Sequence, residues 1–432
     1  MHGRVHNTKI IFDPIWGIID ITQHLPMIDT PEFQALGFKY QLGVTSLLFP
    51  SATHTRKQHS FGAFRRASDL GLRWQQQGMI TADQAKTMAA FALWHDIGHG
   101  PFSHVAEAVT KERYGRDHNQ NGKLIIERMA KILEVMGIDP AEMQRFFAHK
   151  DPVSLGVSDK NLGAEKLDYL SRDAYYTLGE KPGVEYLAHH TYLIDDQIMV
   201  DEKVIDQAKS IQEFYVKMYK LVYLRKNSII AQRMVQKMTS ALLQRVPMAE
   251  EQFWGLTDFA LLGQFETSPD PLVRAYYQRL MNRNLPKTAI ALRPNQFASI
   301  GDRIDKAQIT LGVNETQMQQ LVAAPSLSSP QGLEQAELQI EKLAGLPAGS
   351  IVLLPPPTPE RFVPQDITIF TGSRAPAKLS DYFSGHFEAL REEGLSYMTL
   401  RVCTFEPHRQ KLSQPDIAEA VRAHLLSLTT PH

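Results

Sequence analysis

The apolar and polar positions of this chain repeat mostly with the period of helices. The start is an exception. Residues 9–22 alternate apolar and polar around Pro14 and Gly17, which predicts a short hairpin. Asp29-Thr30-Pro31-Glu32 then supplies a cap, a proline for the first turn and an acid, predicting a helix to about Leu42. Residues 43–56 read as loop. A helix from about Lys57 to Gln77 stops at Gly78. Thr81-Ala82-Asp83-Gln84 has the spacing of a capping box. The alanine-rich run behind it predicts a buried helix ending near Ile97, where Gly98, Gly100 and Pro101 break it. Leu124, Ile125, Met129, Ile132 and Met136 form a helical stripe through 118–136. Leu162 to Leu178 predicts another helix. Ile205 to Leu243 holds neither Gly nor Pro and predicts one or two long helices.

The pattern changes after about Leu285. Ser326 to Gln331 reads as a Ser/Pro linker. Ser350–Leu354 and Asp366–Thr371 are strand-like and separated by a proline-rich run, Tyr397–Phe405 is a further strand, and Asp416–Leu428 is a closing amphipathic helix. The expected fold is therefore mostly α, residues 1–285 with a core at about 40–245, followed by a small mixed α/β region over 286–432.

Composition narrows the class. With 43% hydrophobic and 22% charged residues the 432-residue chain has the make-up of a globular protein. A formal net charge of -1 gives no global electrostatic case for nucleic acid or an anionic membrane. The single cysteine, Cys403, excludes an internal disulfide and fits a reducing compartment. Met1–Lys9 is polar, and no apolar run approaches the roughly 20 residues of a membrane helix. A cytoplasmic location is expected.

The chemistry concentrates in Phe91–His104, which contains His95, Asp96, His99 and His104. Imidazole and carboxylate together are the ligand set of a transition metal. His95 and His99, four residues apart, would share one face of a helix. Six of the sixteen histidines fall between His54 and His118. A buried adjacent His and Asp without a metal would be costly to desolvate.

Asp13-Pro14-Ile15-Trp16-Gly17, Asp29-Thr30-Pro31-Glu32-Phe33-Gln34, Gln41-Leu42-Gly43, His54-Thr55-Arg56-Lys57-Gln58-His59-Ser60, the run His95-Asp96-Ile97-Gly98-His99-Gly100-Pro101-Phe102-Ser103-His104 and Asp168-Tyr169-Leu170-Ser171-Arg172-Asp173 occur in that order. Together they resemble the HD-domain metal-dependent phosphohydrolases, and within them the deoxynucleoside-triphosphate triphosphohydrolases. The resemblance covers residues 8–245 well and continues weakly to about 370. It implies a helical HD fold and metal ligands at His59, His95 and Asp96. The fourth ligand would be Glu165, where relatives carry aspartate, with Asp168 as its rival. It implies that His99, His104 and His118 line the catalytic phosphate, with His104 as general acid. It implies that Arg56 and Lys166 contact phosphate, Tyr169, Asp173 and Tyr223 hold sugar and phosphates, and Gln41 and Leu42 lie beside sugar and base.

The implied activity is hydrolysis of dNTPs to deoxynucleoside and triphosphate by metal-activated water, the metal being Mn, Fe, Ni or Mg, in a homo-oligomer. Departures from the pattern keep two alternatives open. The helix after Asp29-Thr30-Pro31 lacks the regulatory arginines, and Tyr215, with Lys217 nearby, stands where a phosphate-binding arginine is usual. These favour a phosphatase or phosphodiesterase acting on nucleoside monophosphates or cyclic or modified nucleotides. Glu165 raises a non-catalytic nucleotide-binding regulator with a degenerate site.

Overall fold

A computed structural model describes residues 8–298, 307–359, 362–372 and 375–429. Residues 1–7, part of the stretch read as a polar N-terminus, lie outside them. The helices that build the central body are, in chain order, α1 (Arg56–Gln76), α2 (Ala82–Trp94), α3 (His104–Tyr114), α4 (His118–Arg128), α5 (Pro140–Phe147), α6 (Ala164–Leu178), α7 (Ile205–Met218), α8 (Lys226–Arg245) and α9 (Asp258–Glu266). Capping boxes Thr55/Gln58 and Thr81/Gln84 start α1 and α2. α2 is buried continuously from Thr87 to Trp94 because its alanines and large apolar residues leave no polar face there. It packs on α1, and α6 packs on another side of α1. Gly62 allows the second approach: a Cβ there would meet Asp168 Oδ1 at 1.8 Å.

The hairpin forms as β1 (Ile10–Asp13) and β2 (Gly17–Asp20). Several longer-range expectations are corrected. The helix expected to reach Leu42 stops after Pro31–Ala35 and a 3₁₀ turn at Leu36–Phe38. There Lys39 turns extended, and Tyr40 bridges to Thr55 and gives its N–H to Asp258, so tertiary partners displace helical ones. The 118–136 stripe is broken at Met129, and Leu124 faces outward. The 205–243 segment, by contrast, forms two long helices as expected, α7 and α8, joined through a π-helical turn at Tyr219–Tyr223. Residues 326–331 are no linker. Pro325 and Pro330 each open a helix, and Ser329 Oγ caps the second through the N–H of Gly332.

The remaining strands are β3 (Thr191–Ile194), β4 (Gln197–Asp201), β5 (Lys287–Pro294), β6 (Ile309–Val313), β7 (Ile351–Leu354), β8 (Thr368–Phe370), β9 (Ala377–Lys378) and β10 (Leu400–Thr404). One sheet has the order β6-β5-β10-β7. The other has β3-β4-β8-β9, so Thr368–Phe370 and Ala377–Lys378 complete a sheet begun at 191–201. Val352, Leu354, Cys403 and Phe405 share a hydrophobic cluster with α8 and α9. The α/β region and the helical body are thus sewn together by sheet and core alike. Among the described residues no helix is long and apolar enough to cross a membrane.

Candidate metal centre and catalytic cleft

α2 ends at Trp94, so His95 is its C-cap and His99 lies in the turn beyond. The shared helix face expected for these two histidines does not exist. Gly98 lets the turn pass against α4: a Cβ there would meet the carbonyl of His118 at 2.1 Å. His59 comes from the buried face of α1.

Hydrogen bonds place one proton on each imidazole and aim the other nitrogen. His59 Nδ1 lies 2.7 Å from Asp168 Oδ2, and His95 Nδ1 lies 2.7 Å from the Ala92 carbonyl. Both partners only accept, so both Nδ1 atoms carry a proton, and in the neutral rings that a metal requires, both Nε2 atoms carry a lone pair. Those Nε2 atoms are 3.1 Å apart. Two lone pairs at that separation repel unless a proton or a metal cation lies between them. Two imidazole nitrogens each about 2.1 Å from one ion stand roughly 3 Å apart. Asp96 Oδ1 is 3.4 Å from His95 Nε2, and one ligand atom from each of His59, His95 and Asp96 lies within 4.8 Å of the others. The buried trio fits a divalent transition metal. Glu165, in the first turn of α6, lines the same cavity but stands outside this trio.

Asp168 serves the trio rather than joining it. It accepts from Trp16 Nε1, from His59 and from Arg172 Nε and Nη2 (3.0 and 2.9 Å). Burial pushes its carboxyl up, but Arg172 and His59 outweigh this and hold it well below the usual carboxylate range. A carboxylate behind a histidine fixes the tautomer and aim of the ring. Burial likewise raises Asp96, and Arg56, His95 and His99 reverse it. Arg56 Nη1 donates to Asp96 Oδ2 at 2.6 Å and its Nε to Ser103 Oγ.

A second group gathers beside the trio, joined to it through His99 Nε2, 3.2 Å from Asp96 Oδ1. Glu107 Oε2 accepts from His118 Nδ1 (2.6 Å) and the His118 N–H (2.8 Å), and its Oε1 is 3.5 Å from His104 Nδ1. His99 stacks on His118 at 4.0 Å with planes 10° apart. Stacked rings set their in-plane nitrogens side by side instead of converging them, so this group suits an anion better than a metal. His104 and His118 each open a helix, whose N-terminal dipole favours negative charge. Burial, with Arg56 and His118, keeps the His99 pKa well below its ordinary value. Its buried Nδ1 has no hydrogen-bond partner among the described residues.

The segment carrying these histidines is strained and clamped. Phe102 and Ser103 both have φ 50. Asp258 accepts from Phe102 N (2.7 Å) and Tyr40 N (2.8 Å), and the buried Lys39 ammonium donates to the carbonyls of His99 and Trp254. Burial lifts Asp258 to about 6 and lowers Lys39 to about 8.

The cleft is a cavity of about 410 Å³. Of the residues singled out from the sequence, Gln41, Arg56, His59, His95, Asp96, His99, His104, His118, Glu165, Tyr169, Asp173 and Tyr223 line it, whereas Leu42 and Lys166 do not. Asp173 accepts from His54 Nε2 and Tyr223 Oη, each at 2.7 Å. Lys166 faces an adjoining cavity of about 360 Å³, with Nζ 3.3 Å from the centre of the Tyr215 ring. Burial brings its pKa down to about 7 against Glu165 and Asp159. Lys217 pairs with Glu180 at 2.5 Å.

Comparison with known proteins agrees with this geometry. Residues 56–152 match the HD domain family and 184–318 the HD associated region. The chain is an HD-domain protein. It is 29% identical over 309 residues to the Dictyostelium discoideum protein named deoxynucleoside triphosphate triphosphohydrolase SAMHD1 homolog, covering 65% of this chain and 60% of that one. It is 32% identical over 223 residues to human deoxynucleoside triphosphate triphosphohydrolase SAMHD1, covering 42% and 35%. The chain thus spans less than two thirds of either relative. Its fold matches that of a phosphohydrolase from Bacteroides thetaiotaomicron with a TM-score of 0.68 at 23% identity, over 92% of this chain and 100% of the other.

Sequence reasoning missed several parts of this HD-domain site. Glu107 was discoverable, since it follows His104 by three positions on one helix. Lys39, Asp258, Phe147, His149 and Tyr219 reach the cleft or its supports only through tertiary packing, with no local signal.

Proposed function

We propose that this HD-domain protein is a metal-dependent phosphohydrolase that cleaves a nucleotide at a phosphoester bond, with a dNTP as first substrate and deoxynucleoside and triphosphate as products. The observation that carries it is the convergence of two Nε2 atoms and Asp96 beside the His99–His104–His118 group, in a cleft large enough for a nucleotide. The relatives named deoxynucleoside triphosphate triphosphohydrolases supply the dNTP. His59, His95 and Asp96 would hold Mn, Fe, Ni or Mg, with Glu165 beside them. A bound divalent cation supplies Lewis acidity at phosphorus and acidifies a water.

The protein's own groups do the rest. Arg56 keeps Asp96 ionised and aimed. His99, neutral, offers its free Nδ1 to a phosphate-borne donor or a water. His104, exposed at the cleft and 3.5 Å from Glu107, is placed to hand a proton to the departing oxygen. Asp173, held by His54 and Tyr223, receives a sugar hydroxyl.

A second reading, a monoester or diester substrate, is favoured by the cations. Arg56 spends donors on Asp96 and Ser103, and Lys166 sits over Tyr215, leaving few to neutralise a triphosphate. A panel of dNTPs, dNMPs and cyclic nucleotides with Mn²⁺, Fe²⁺, Ni²⁺ or Mg²⁺ decides. Free triphosphate from a dNTP supports the first reading. Inorganic phosphate from monophosphates alone supports the second. No hydrolysis with any metal refutes both.

A further inference from the structure

Part of the cleft wall is formed by Phe91, Phe147, His149 and Ser158. His149 closes α5: its N–H bonds to the Phe146 carbonyl and that of Lys150 to the Arg145 carbonyl, with His149 left-handed at φ 52. Glycine is the usual residue for such a turn, because a Cβ is crowded there. This chain uses Gly115, Gly179 and Gly345 at other helix ends. Arg283 adopts the same conformation (φ 55) elsewhere, so the conformation alone does not distinguish His149. Its place in the cleft does.

The ring is also held in one tautomer. Ser158 Oγ gives its single proton to the Ser154 carbonyl (3.0 Å) and lies 3.1 Å from His149 Nδ1. Nδ1 is therefore the donor in that pair, and Nε2 keeps its lone pair. The ring stands edge-on to Phe91, 6.4 Å between centroids. A lone pair beside Phe91, Phe147 and the Glu165 carboxylate repels phosphate oxygens and suits an uncharged donor. We propose that His149 is a specificity-determining residue whose Nε2 accepts a hydrogen bond from the nucleoside part of the substrate, a sugar hydroxyl or a base amine. This rests on the nucleotide reading above.

The test uses the full chain loaded with Mn²⁺, as wild type, His149→Gly and His149→Asn, on dATP, its 2′,3′-dideoxy analogue and bis(p-nitrophenyl) phosphate, which has no nucleoside. His149→Gly should raise Tm by about 1–2 °C as strain is released. It should lower kcat/KM for dATP about tenfold, the worth of one neutral hydrogen bond, and leave the nitrophenyl ester unchanged. Loss of the effect on the dideoxy analogue assigns the sugar hydroxyl, and persistence assigns the base. His149→Asn, which tolerates the left-handed turn, should lose activity on dATP without the gain in Tm. Unchanged dATP turnover makes His149 a helix cap only and overturns the proposal, as does an equal loss on both substrates or a fall in Tm for His149→Gly. A wild type that cleaves the nitrophenyl ester but no nucleotide refutes the nucleotide reading, and this proposal with it.

Discussion

Asp168→Asn tests how the metal centre is held. The native carboxylate receives Trp16 Nε1, His59 Nδ1 and two guanidinium N–H groups of Arg172, and neither Asp168 nor Arg172 is exposed. An asparagine offers one acceptor oxygen and turns an N–H₂ toward donors. Arg172 is left with Asp13, 2.8 Å away, as its remaining carboxylate. Breaking a buried charge pair on one side costs about 3–5 kcal/mol. A total stability of roughly 5–15 kcal/mol should leave the variant folded at low temperature. His59 loses the anchor that fixes its tautomer, which should weaken metal binding about 10–100-fold. The assay pairs urea denaturation with Mn²⁺ competition against a chelator, and measures turnover at limiting and saturating metal. We expect a lower midpoint, weaker Mn²⁺ binding, and activity partly restored at high Mn²⁺. Unchanged Mn²⁺ affinity would refute the reasoning, because Asp168 would then stabilise α1 against α6 without orienting His59.

The other predictions are as follows. Metal binding should weaken as pH falls, the ring's proton being displaced on binding: Asp168 holds the His59 pKa above its ordinary value despite burial, and only the proton-free Nε2 binds metal. Calorimetry in buffers of different ionisation enthalpy measures this, and removing metal held at 100 times its Kd should cost about 2.7 kcal/mol of stability. His104→Ala should cut turnover about 10²–10⁴-fold on a nucleotide, whose leaving oxygen needs a proton, and far less on bis(p-nitrophenyl) phosphate. An equal loss on both would remove His104 as the acid. Asp258→Asn should cost about 1–3 kcal/mol at neutral pH, since the amide cannot accept from both Tyr40 and Phe102. Burial raises Asp258 from 3.8 to about 6, so its protonation favours the folded state. That contribution is full at acid pH and is lost as pH rises through about 6. Urea midpoints at several pH values should show wild type losing ground to Asp258→Asn across this window.

Local chemistry made much of this protein legible. Thr55/Gln58 and Thr81/Gln84 mark helix starts because a cap and its partner sit three residues apart. Gly98-His99-Gly100-Pro101 marks a helix end because those residues cannot continue one. The histidines and carboxylates that suggested metal chemistry do line one cleft, with Glu165 there but outside the metal trio, whereas Leu42 and Lys166 do not line it. Tertiary structure decided the rest. The helix after Pro31 stops early because Tyr40 finds partners in Thr55 and Asp258, far along the chain. Thr368–Phe370 joins a sheet begun at 191–201 because its edge pairs there. Above all, sequence alone gave no tautomers. His59 and His95 each look able to donate or accept at either nitrogen until Asp168 and the Ala92 carbonyl take both Nδ1 protons and leave the two Nε2 atoms face to face. A hydrogen bond's direction depends on which atoms meet in space, and residues 109 positions apart meet only when the chain has folded.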